Sequence, residues 1–224
     1  MVINLKPYFD KYEALVEKAE AAFDRVKAAH AECVKCEEKC ADCCFALFDL
    51  MLIEALYLHH KFNEKFKGST KIELVEKASR ADRRIYKIKR KAFKELQSGR
   101  NEGELLAEMA LERVRCPLLS EEDLCELYDY RPLTCRFYGI PTAIGGAGHT
   151  CGKSGFKEGE QYPTVNLDAV HTQLQQISAE LLRDIESRNV KLVDLLVPLS
   201  SAMIMDFDEV FLGVAQDPVE KPKP

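Results

Sequence analysis

Five cysteines lie within twelve residues, in the stretch Cys33-Val-Lys-Cys36-Glu-Glu-Lys-Cys40-Ala-Asp-Cys43-Cys44. A buried cysteine behaves as a small hydrophobic residue, so packing alone gives no reason for such a density. Cysteine thiolates are strong ligands for zinc and for iron-sulfur clusters. The spacing therefore indicates a metal site.

The cysteine-rich stretch contains no glycine or proline, so we expect it to be helical and to continue the helix that precedes it. At about 100° per residue, all five thiols fall within an arc of about 100° on one helix face. Cys33 and Cys44 would still lie about 16 Å apart along a straight axis, which is too far for one centre. Either the helix breaks inside the stretch, or the thiolates divide between centres. Adjacent Cys43 and Cys44 would point about 100° apart, which suits two different centres, or one centre with the second thiol in reserve.

Four further cysteines, Cys116, Cys125, Cys135 and Cys151, are spread over a second segment. Residues 115–152 contain three prolines and five glycines, a composition typical of successive loops that are fixed by what they bind. We expect a metal to supply the core that this segment lacks. Eight of the nine cysteines would complete two four-cysteine sites, and both structural zinc and iron-sulfur clusters accept coordination by sulfur alone. The mostly long spacings, such as C-x8-C and C-x15-C, favour iron-sulfur ligation over the paired C-x2-C hairpins of zinc sites.

Composition limits the class of protein. The 224 residues are 46% hydrophobic and 31% charged, which is typical of a soluble globular protein. The net charge of −5 is mild and the basic residues are interleaved with acids, which argues against nucleic acid as the main partner. No leader opens the sequence and no apolar run approaches the length of about 20 residues that spans a membrane, so we expect no membrane partner and a cytoplasmic location. Cytoplasmic thiols stay reduced, so nine cysteines there favour metal ligation over disulfides.

The remaining sequence predicts helices that hold the cysteines in place. Apolar residues recur every three to four positions over most of the chain outside the loops. The predicted helices are 8–30, 45–67, 71–97, 102–114, 165–186, and one or two within 192–212 that are interrupted near Pro198, followed by a frayed tail, 217–224. We therefore expect an all-α fold: a helical bundle forming a single domain of residues 1–224. Its cysteine-rich, metal-stabilised loop region, formed by residues 33–44 and 113–155, would pack against the long N-terminal helix.

Two motifs carry a resemblance to a known family: Cys40-Ala-Asp-Cys43-Cys44, and Cys125-Glu-Leu-Tyr-Asp-Tyr-Arg131-Pro-Leu-Thr-Cys135-Arg136. Together with Arg115-Cys116-Pro117 and a final Cys151, they resemble the YkgJ-type cysteine-cluster family of zinc- or iron-chelating domains. The resemblance implies eight metal ligands, which are Cys36, Cys40, Cys43, Cys44, Cys116, Cys125, Cys135 and Cys151. The opening C-x2-C of the family is here Cys36-x3-Cys40, and Cys33, outside the pattern, is an alternative ligand to Cys36.

Arg131 and Arg136 are the predicted cofactor-binding residues. A four-thiolate centre carries net negative charge, which nearby guanidinium groups or backbone N–H donors stabilise. The alternative for Arg131 is a simple ion pair with an acid such as Asp129. No catalytic residue stands out, and Gly145-Gly146-Ala-Gly148 lacks the strand-then-helix setting of a nucleotide loop.

Three functions remain open at this point. The first is an iron-sulfur protein, with one or two 4Fe-4S clusters, that carries electrons or senses redox state and meets a redox partner protein. The second is a zinc-stabilised structural or interaction protein. The third is a cluster-dependent enzyme of oxidoreductase or methyl-transfer type, since some flagellin lysine methylases resemble this family in carrying such a module.

Overall fold

A computed structural model describes residues 3–214, and in this part of the chain the fold is mostly helical. Short strands and three 3-10 turns connect the helices. The α-helices are α1 (Lys6–Ala29), α2 (Leu52–Lys65), α3 (Gly68–Gln97), α4 (Glu102–Ala110), α5 (Leu133–Phe137), α6 (Leu167–Asp184) and α7 (Leu199–Ile204). The strands are β1 (Asp49–Met51), β2 (Thr142–Ile144), β3 (Ala147–His149), β4 (Val165–Asn166) and β5 (Leu196–Pro198), and the 3-10 turns are Asp42–Phe45, Tyr128–Tyr130 and Val190–Asp194.

Helix α1 begins and packs as its sequence predicts. Pro7 occupies its first turn, where a missing N–H costs nothing. Its buried face carries Tyr8, Phe9, Tyr12 and Ala19, while Glu and Lys residues cover the outer face.

The prediction that the helix continues through Cys44 is wrong. Helix α1 ends at Ala29, and His30 leaves the helical region with φ −138° and ψ 50°. Residues 33–41 then run as turns and extended chain, with Lys39 in the left-handed region at φ 67°, and only the turn Asp42–Phe45 is helical in any form. Helix propensity is a weak preference, and here contacts with other parts of the fold, such as those of Cys36 with Tyr138 and of Cys44 with Cys116, override it.

The helix formed by the apolar run after the cysteines starts later than predicted. A helix was expected from residue 45, but residues 49–51 form β1, which pairs antiparallel with β5 and aligns Leu50 with Val197. Helix α2 begins only at Leu52. Its residues 52–58 are all buried, which confirms the prediction of a helix covered on more than one side. Apolar residues of α2 contribute to two separate core clusters, one shared with α1 and α6 and the other shared with α3 and α7.

The all-α prediction holds only as a mostly helical fold, because two small sheets contribute to the frame. In the second sheet β2 pairs antiparallel with β3 as a hairpin, and β2 pairs parallel with β4. The hairpin ends at His149, two residues before Cys151. The sheet therefore joins the last cysteine loop to the start of α6.

The C-terminal region agrees with its prediction only in part. One or two helices were expected within 192–212, interrupted near Pro198, and the chain forms one short helix there, α7, directly after Pro198, preceded by a 3-10 turn and β5. Helices α3, α4 and α6 agree with their predictions to within a few residues at each end. The predicted frayed tail, 217–224, lies outside the described residues.

None of the helices in the described part of the chain combines the length and the apolar character that crossing a membrane requires.

Candidate metal centre

Eight of the nine cysteines line one cavity of about 730 Å³. The walls come from α1, from the segment after it, from α3 through Ala81 and Ile85, and from the loops around α5. The eight are Cys36, Cys40, Cys43, Cys44, Cys116, Cys125, Cys135 and Cys151. All nine cysteines lie within residues 3–214 and all are free thiols. Two segments far apart in sequence therefore meet around one space.

Cys33 lies outside this cavity. It is buried, with 8% of its surface exposed, and its thiol faces Glu32 Oε1 at 3.5 Å. Its backbone has a clearer role than its side chain, because Cys33 O accepts a hydrogen bond of 2.8 Å from the N–H of Gly155, just after Cys151. The residue thus fixes the last cysteine loop through its main chain. The metal-ligand role predicted for its thiol stays a prediction.

The first cysteine segment is shaped by two tight turns. The N–H of Cys40 donates to Glu37 O at 3.0 Å, with Lys39 in the left-handed conformation between them. The 3-10 turn that follows carries Cys43 and Cys44 side by side. A straight helix would space these thiols along its length, whereas the two turns direct several of them to one cavity.

The second segment is attached to the first by main-chain hydrogen bonds. Cys116 N–H donates to Cys44 O at 2.7 Å, and Val114 N–H donates to Phe45 O at 3.1 Å. A bridge between Leu119 and Cys125 then folds the chain back on itself. Cys116 and Cys125 are consequently held next to Cys44 by the backbone.

Cys135 is positioned by a buried carboxylate that the sequence analysis did not single out. Glu54 of α2 accepts hydrogen bonds through Oε1 from Leu133 N–H at 3.0 Å and from Tyr12 O–H at 3.3 Å. Leu133 is the first residue of α5, so Glu54 satisfies a free N–H at the helix end and fixes the helix that carries Cys135. Burial raises the pKa of Glu54, against the hydrogen bonds it accepts. A single acid inside the apolar run of residues 50–58 is the sequence signal that would have found it.

Cys36 is held against the loop after α5. Its thiol donates to Tyr138 O at 3.4 Å. The next residue, Gly139, has φ 103°, and a Cβ at this position would lie 2.2 Å from Cys36 Sγ. Only glycine leaves room for the thiol in this arrangement.

Asp42, which is not among the predicted site residues, connects the two segments through its side chain. Its Oδ2 accepts a hydrogen bond from Tyr138 O–H at 3.0 Å and lies 3.6 Å from Cys151 Sγ, while Oδ1 pairs with Arg113 Nη2 at 2.7 Å. Burial acts against ionisation of this carboxyl, but its hydrogen bonds and the Arg113 charge leave its pKa below the usual value. An acid between Cys40 and Cys43 was a visible signal for this role.

Burial disfavours the charged forms of most of the thiols that line the cavity unless a metal compensates. Burial, and then the charges of neighbouring thiolates, raise the pKa of Cys36 to about 11 and that of Cys116 to about 12. The pKa of Cys135 rises for the same reasons, with the charges of Cys43, Cys116 and Cys125 adding to the effect of burial. Cys43 is different, because its hydrogen bond with the Cys44 thiol lowers its pKa to about 7 despite burial. A bound cation would offset the cost of ionising the other thiols.

Backbone N–H groups already point at several sulfur atoms. Cys151 Sγ accepts from Lys153 N–H at 3.4 Å. After the dominant effect of burial, hydrogen bonds from the backbone of Leu118 and Leu119 moderate the raised pKa of Cys116, and one from Leu127 does so for Cys125. Hydrogen bonds to sulfur stabilise a thiolate and tune a metal centre that it ligates.

Both predicted cofactor-binding arginines line the cavity, with different partners. Arg136 is only 4% exposed, and its guanidinium pairs with Glu20 of α1 and donates to Asp129 O and Arg131 O. Arg131 stacks on the Tyr128 ring at 3.9 Å, donates to Tyr128 O, and lies 3.9 Å from Glu20. Arg136 thus attaches the loop region to α1. The positive charge of Arg131 contributes, after larger effects, to lowering the pKa of Cys43.

The donors fit a soft metal by chemistry. Eight thiols, three of them with backbone N–H donors from neighbouring residues, form a set that zinc and iron-sulfur centres use. In residues 3–214, however, no three Cys, His, Asp or Glu side chains are close enough together to hold a single ion as they stand. The thiols surround a volume rather than one point.

These features define a mostly helical protein whose two cysteine segments enclose a candidate metal-binding cavity. Residues 35–152, more than half of the chain, match the model of the CxxCxxCC family, a domain to which zinc or iron chelation is ascribed. The chain belongs to this family, which confirms the resemblance drawn from the cysteine motifs. No curated protein and no solved structure shows a significant match to the chain.

Proposed function

We propose that this chain is an iron-sulfur protein whose bound cluster or clusters carry electrons or sense redox state. The observation that carries the proposal is the lining of a single cavity by eight free thiols. The chelation of zinc or iron that is ascribed to the family supports metal binding as such.

The distribution of the thiols favours a cluster over a lone zinc ion. Zinc binds sulfur at about 2.3 Å, so a four-thiolate zinc site draws its sulfur atoms to one point. An iron-sulfur cluster is several atoms wide and is held by thiolates placed around it. Thiols that surround a volume of about 730 Å³ suit the wider group.

The polar surroundings support the same proposal. Each electron that a cluster accepts adds negative charge, which N–H donors to sulfur and nearby cations stabilise. The Lys153 N–H at Cys151 is such a donor, and Arg131 is such a cation. Arg131 and Arg136 would thus serve the cluster differently, the first by its charge and the second by holding the loop to α1.

We further propose that metal binding stabilises the loop region. Between residues 115 and 132 the described chain forms no α-helix and no strand, and it is held by one 3-10 turn, the bridge between Leu119 and Cys125, and single main-chain hydrogen bonds. Bonds from a cluster to thiols in both segments would draw these loops together and hold them on α1, so the chain would work as one unit. Binding free energy then becomes folding free energy for this part of the molecule.

The proposed setting is the cytoplasm, where free thiols remain available as ligands. The partner we propose is a redox protein rather than nucleic acid or a membrane, since the charge of the chain is mild and mixed in sign.

Anaerobic purification tests the proposal directly. The protein as isolated should be brown, absorb broadly in the visible range, lose that colour on reduction, and contain iron and acid-labile sulfide in equal amounts. A colourless protein with zinc and no sulfide would refute the iron-sulfur proposal and leave a zinc-stabilised structural protein. If the isolated protein holds neither iron nor zinc, and the amides of residues 115–132 are nevertheless protected from hydrogen exchange as in a folded loop, metal binding itself would be refuted.

A further inference from the structure

The eight thiols of the cavity fall into two groups that are held by different contacts. In the first group, Asp42 and Tyr138 link the positions of Cys36 and Cys151. Cys36 Sγ bonds to Tyr138 O, the Tyr138 hydroxyl bonds to Asp42, and the same Asp42 oxygen lies 3.6 Å from Cys151 Sγ. Cys40, two residues before Asp42, lines the same cavity, and its charge is among those that act on Cys36 and Cys151.

The second group is held by backbone bonds on the other side of the turn Asp42–Phe45. Cys44 O receives the N–H of Cys116, and the bridge from Leu119 to Cys125 folds Cys125 back to the same place. Cys135 enters on α5 and lines the same cavity, and the charges that act on its buried thiol are led by that of Cys43 and include those of Cys116 and Cys125.

The two groups also rest on different parts of the core. Cys36 packs against the cluster formed by α1, α2 and α6. Cys116 and Cys125 pack against the cluster formed by α2, α3 and α7. Packing therefore separates Cys36 from Cys116 and Cys125, as the hydrogen bonds do.

Cys43 and Cys44 lie where the two groups meet. The Cys43 charge acts on Cys36 of the first group as well as on Cys116, Cys125 and Cys135 of the second. Cys44 is tied to the second group by its own backbone bond to Cys116. With Cys44 in the second group, each group reaches four thiols only if Cys43 belongs to the first.

We propose that the cavity holds two four-cysteine centres, an outer one on Cys36, Cys40, Cys43 and Cys151, and an inner one on Cys44, Cys116, Cys125 and Cys135. This inference rests on the proposed function, because it assigns ligands to the metal that the function requires. In this assignment Cys43 and Cys44, which are adjacent in the chain with Cα atoms about 3.8 Å apart, ligate different centres and so hold the two centres close together. Such neighbours exchange electrons directly, so a partner that reaches one centre would reach both.

Pairs of substitutions test the grouping, with metal and sulfide per chain as the readout. Full-length chains are prepared anaerobically and compared as single and double cysteine-to-alanine variants. Each single variant should lose half of the metal. The double variant C43A/C151A, within the outer group, should still keep half, whereas C44A/C151A, across the groups, should lose all of it. The mirror pair C44A/C116A should keep half and C43A/C116A should lose all.

Two controls make the result interpretable. C33A should keep the full metal content, because the Cys33 thiol lies outside the cavity. Far-UV circular dichroism of every variant should show the helices retained, since the core that α1, α2 and α6 share is built mainly of aliphatic and aromatic side chains. As a second readout, reduced wild-type protein should give an electron paramagnetic resonance spectrum broadened by two neighbouring clusters, and a single-centre variant should give a simple spectrum.

The outcomes separate this inference from the proposed function. Equal metal content in the within-group and across-group doubles, or a wild-type chain that binds one centre only, would overturn the grouping. If the metal is zinc, the iron-sulfur proposal fails, but the same pairs still show whether two ions divide as proposed.

Discussion

Gly139 gives the sharpest single-residue test of how the cavity is built. It lies directly after Tyr138, whose carbonyl oxygen accepts the hydrogen bond of the Cys36 thiol. We predict that Gly139→Ala will remove the outer metal centre while the rest of the fold persists. The reason is steric, because the added methyl group and the thiol would occupy the same place.

The size of the effect follows from two quantities. The new Cβ would lie 2.2 Å from Cys36 Sγ, whereas ordinary contact begins at about 3.5 Å, so the sulfur must move by about 1.3 Å. Metal–ligand distances hold to within about 0.2 Å, so a displacement of this size removes the ligand. In addition, the φ of 103° is unfavourable for alanine and costs about 1–3 kcal/mol of unfolding free energy.

Gly146→Ala is the matched control. Gly146 also has a positive φ, 79°, but a Cβ there meets no atom within 4 Å. The control therefore carries a comparable backbone cost without displacing a thiol. Metal and sulfide analysis, together with urea unfolding of both variants, separates the two contributions.

We expect Gly146→Ala to keep all of its metal and Gly139→Ala to keep about half. If Gly139→Ala bound the wild-type amount of metal, with the same spectrum, the placement of Cys36 in the cavity would be wrong. If both variants lost metal equally, backbone strain rather than displacement of the thiol would be the cause.

Three further predictions concern side chains around the cavity. Glu54→Gln keeps the acceptor but removes a carboxyl whose pKa burial raises above its usual 4.5. A carboxyl with a raised pKa in the folded state loses its contribution to stability as the pH rises from the unfolded-state pKa to the folded-state pKa. The unfolding free energy of the variant relative to that of the wild type, measured in urea, should therefore rise with pH over this range and then level off. Equal pH profiles of the two proteins would show that Glu54 does not titrate as described. Arg136→Met should lower the unfolding free energy by about 1–3 kcal/mol in urea unfolding, because Asp129 O and Arg131 O lose their donor, and an unchanged midpoint would contradict this. Arg131→Gln should lower the cluster reduction potential, measured by anaerobic titration, by roughly 40 mV, because loss of a partly exposed positive charge destabilises the reduced cluster by on the order of 1 kcal/mol. A rise in the potential would refute the proposed role of the Arg131 charge.

The sequence predicts which residues meet better than it predicts the path of the chain between them. Eight cysteines line the cavity, as expected from their type and number, although the helix predicted to carry five of them ends at Ala29. No glycine or proline marks the end of that helix, and a lysine at position 39 does not predict a left-handed backbone conformation. The start of α2 was missed for a related reason, because the pairing of Leu50 with Val197 depends on a segment about 150 residues away.

The grouping of the thiols depends on contacts that spacing cannot show. The order of the cysteines leaves open whether Cys43 and Cys44 serve one centre or two, whereas the fold places Asp42, bonded to Tyr138, next to Cys151 and the Cys116 N–H on Cys44 O. Each of these supports comes from a residue type that is common on protein surfaces, and becomes informative only when the fold brings it to a sulfur atom. The same holds for Glu54, which acts on Cys135 through one N–H at the start of α5. In a site built from turns and loops, the ligands are legible in the sequence because they are chemically rare, whereas the groups that position them are ordinary residues and require the structure.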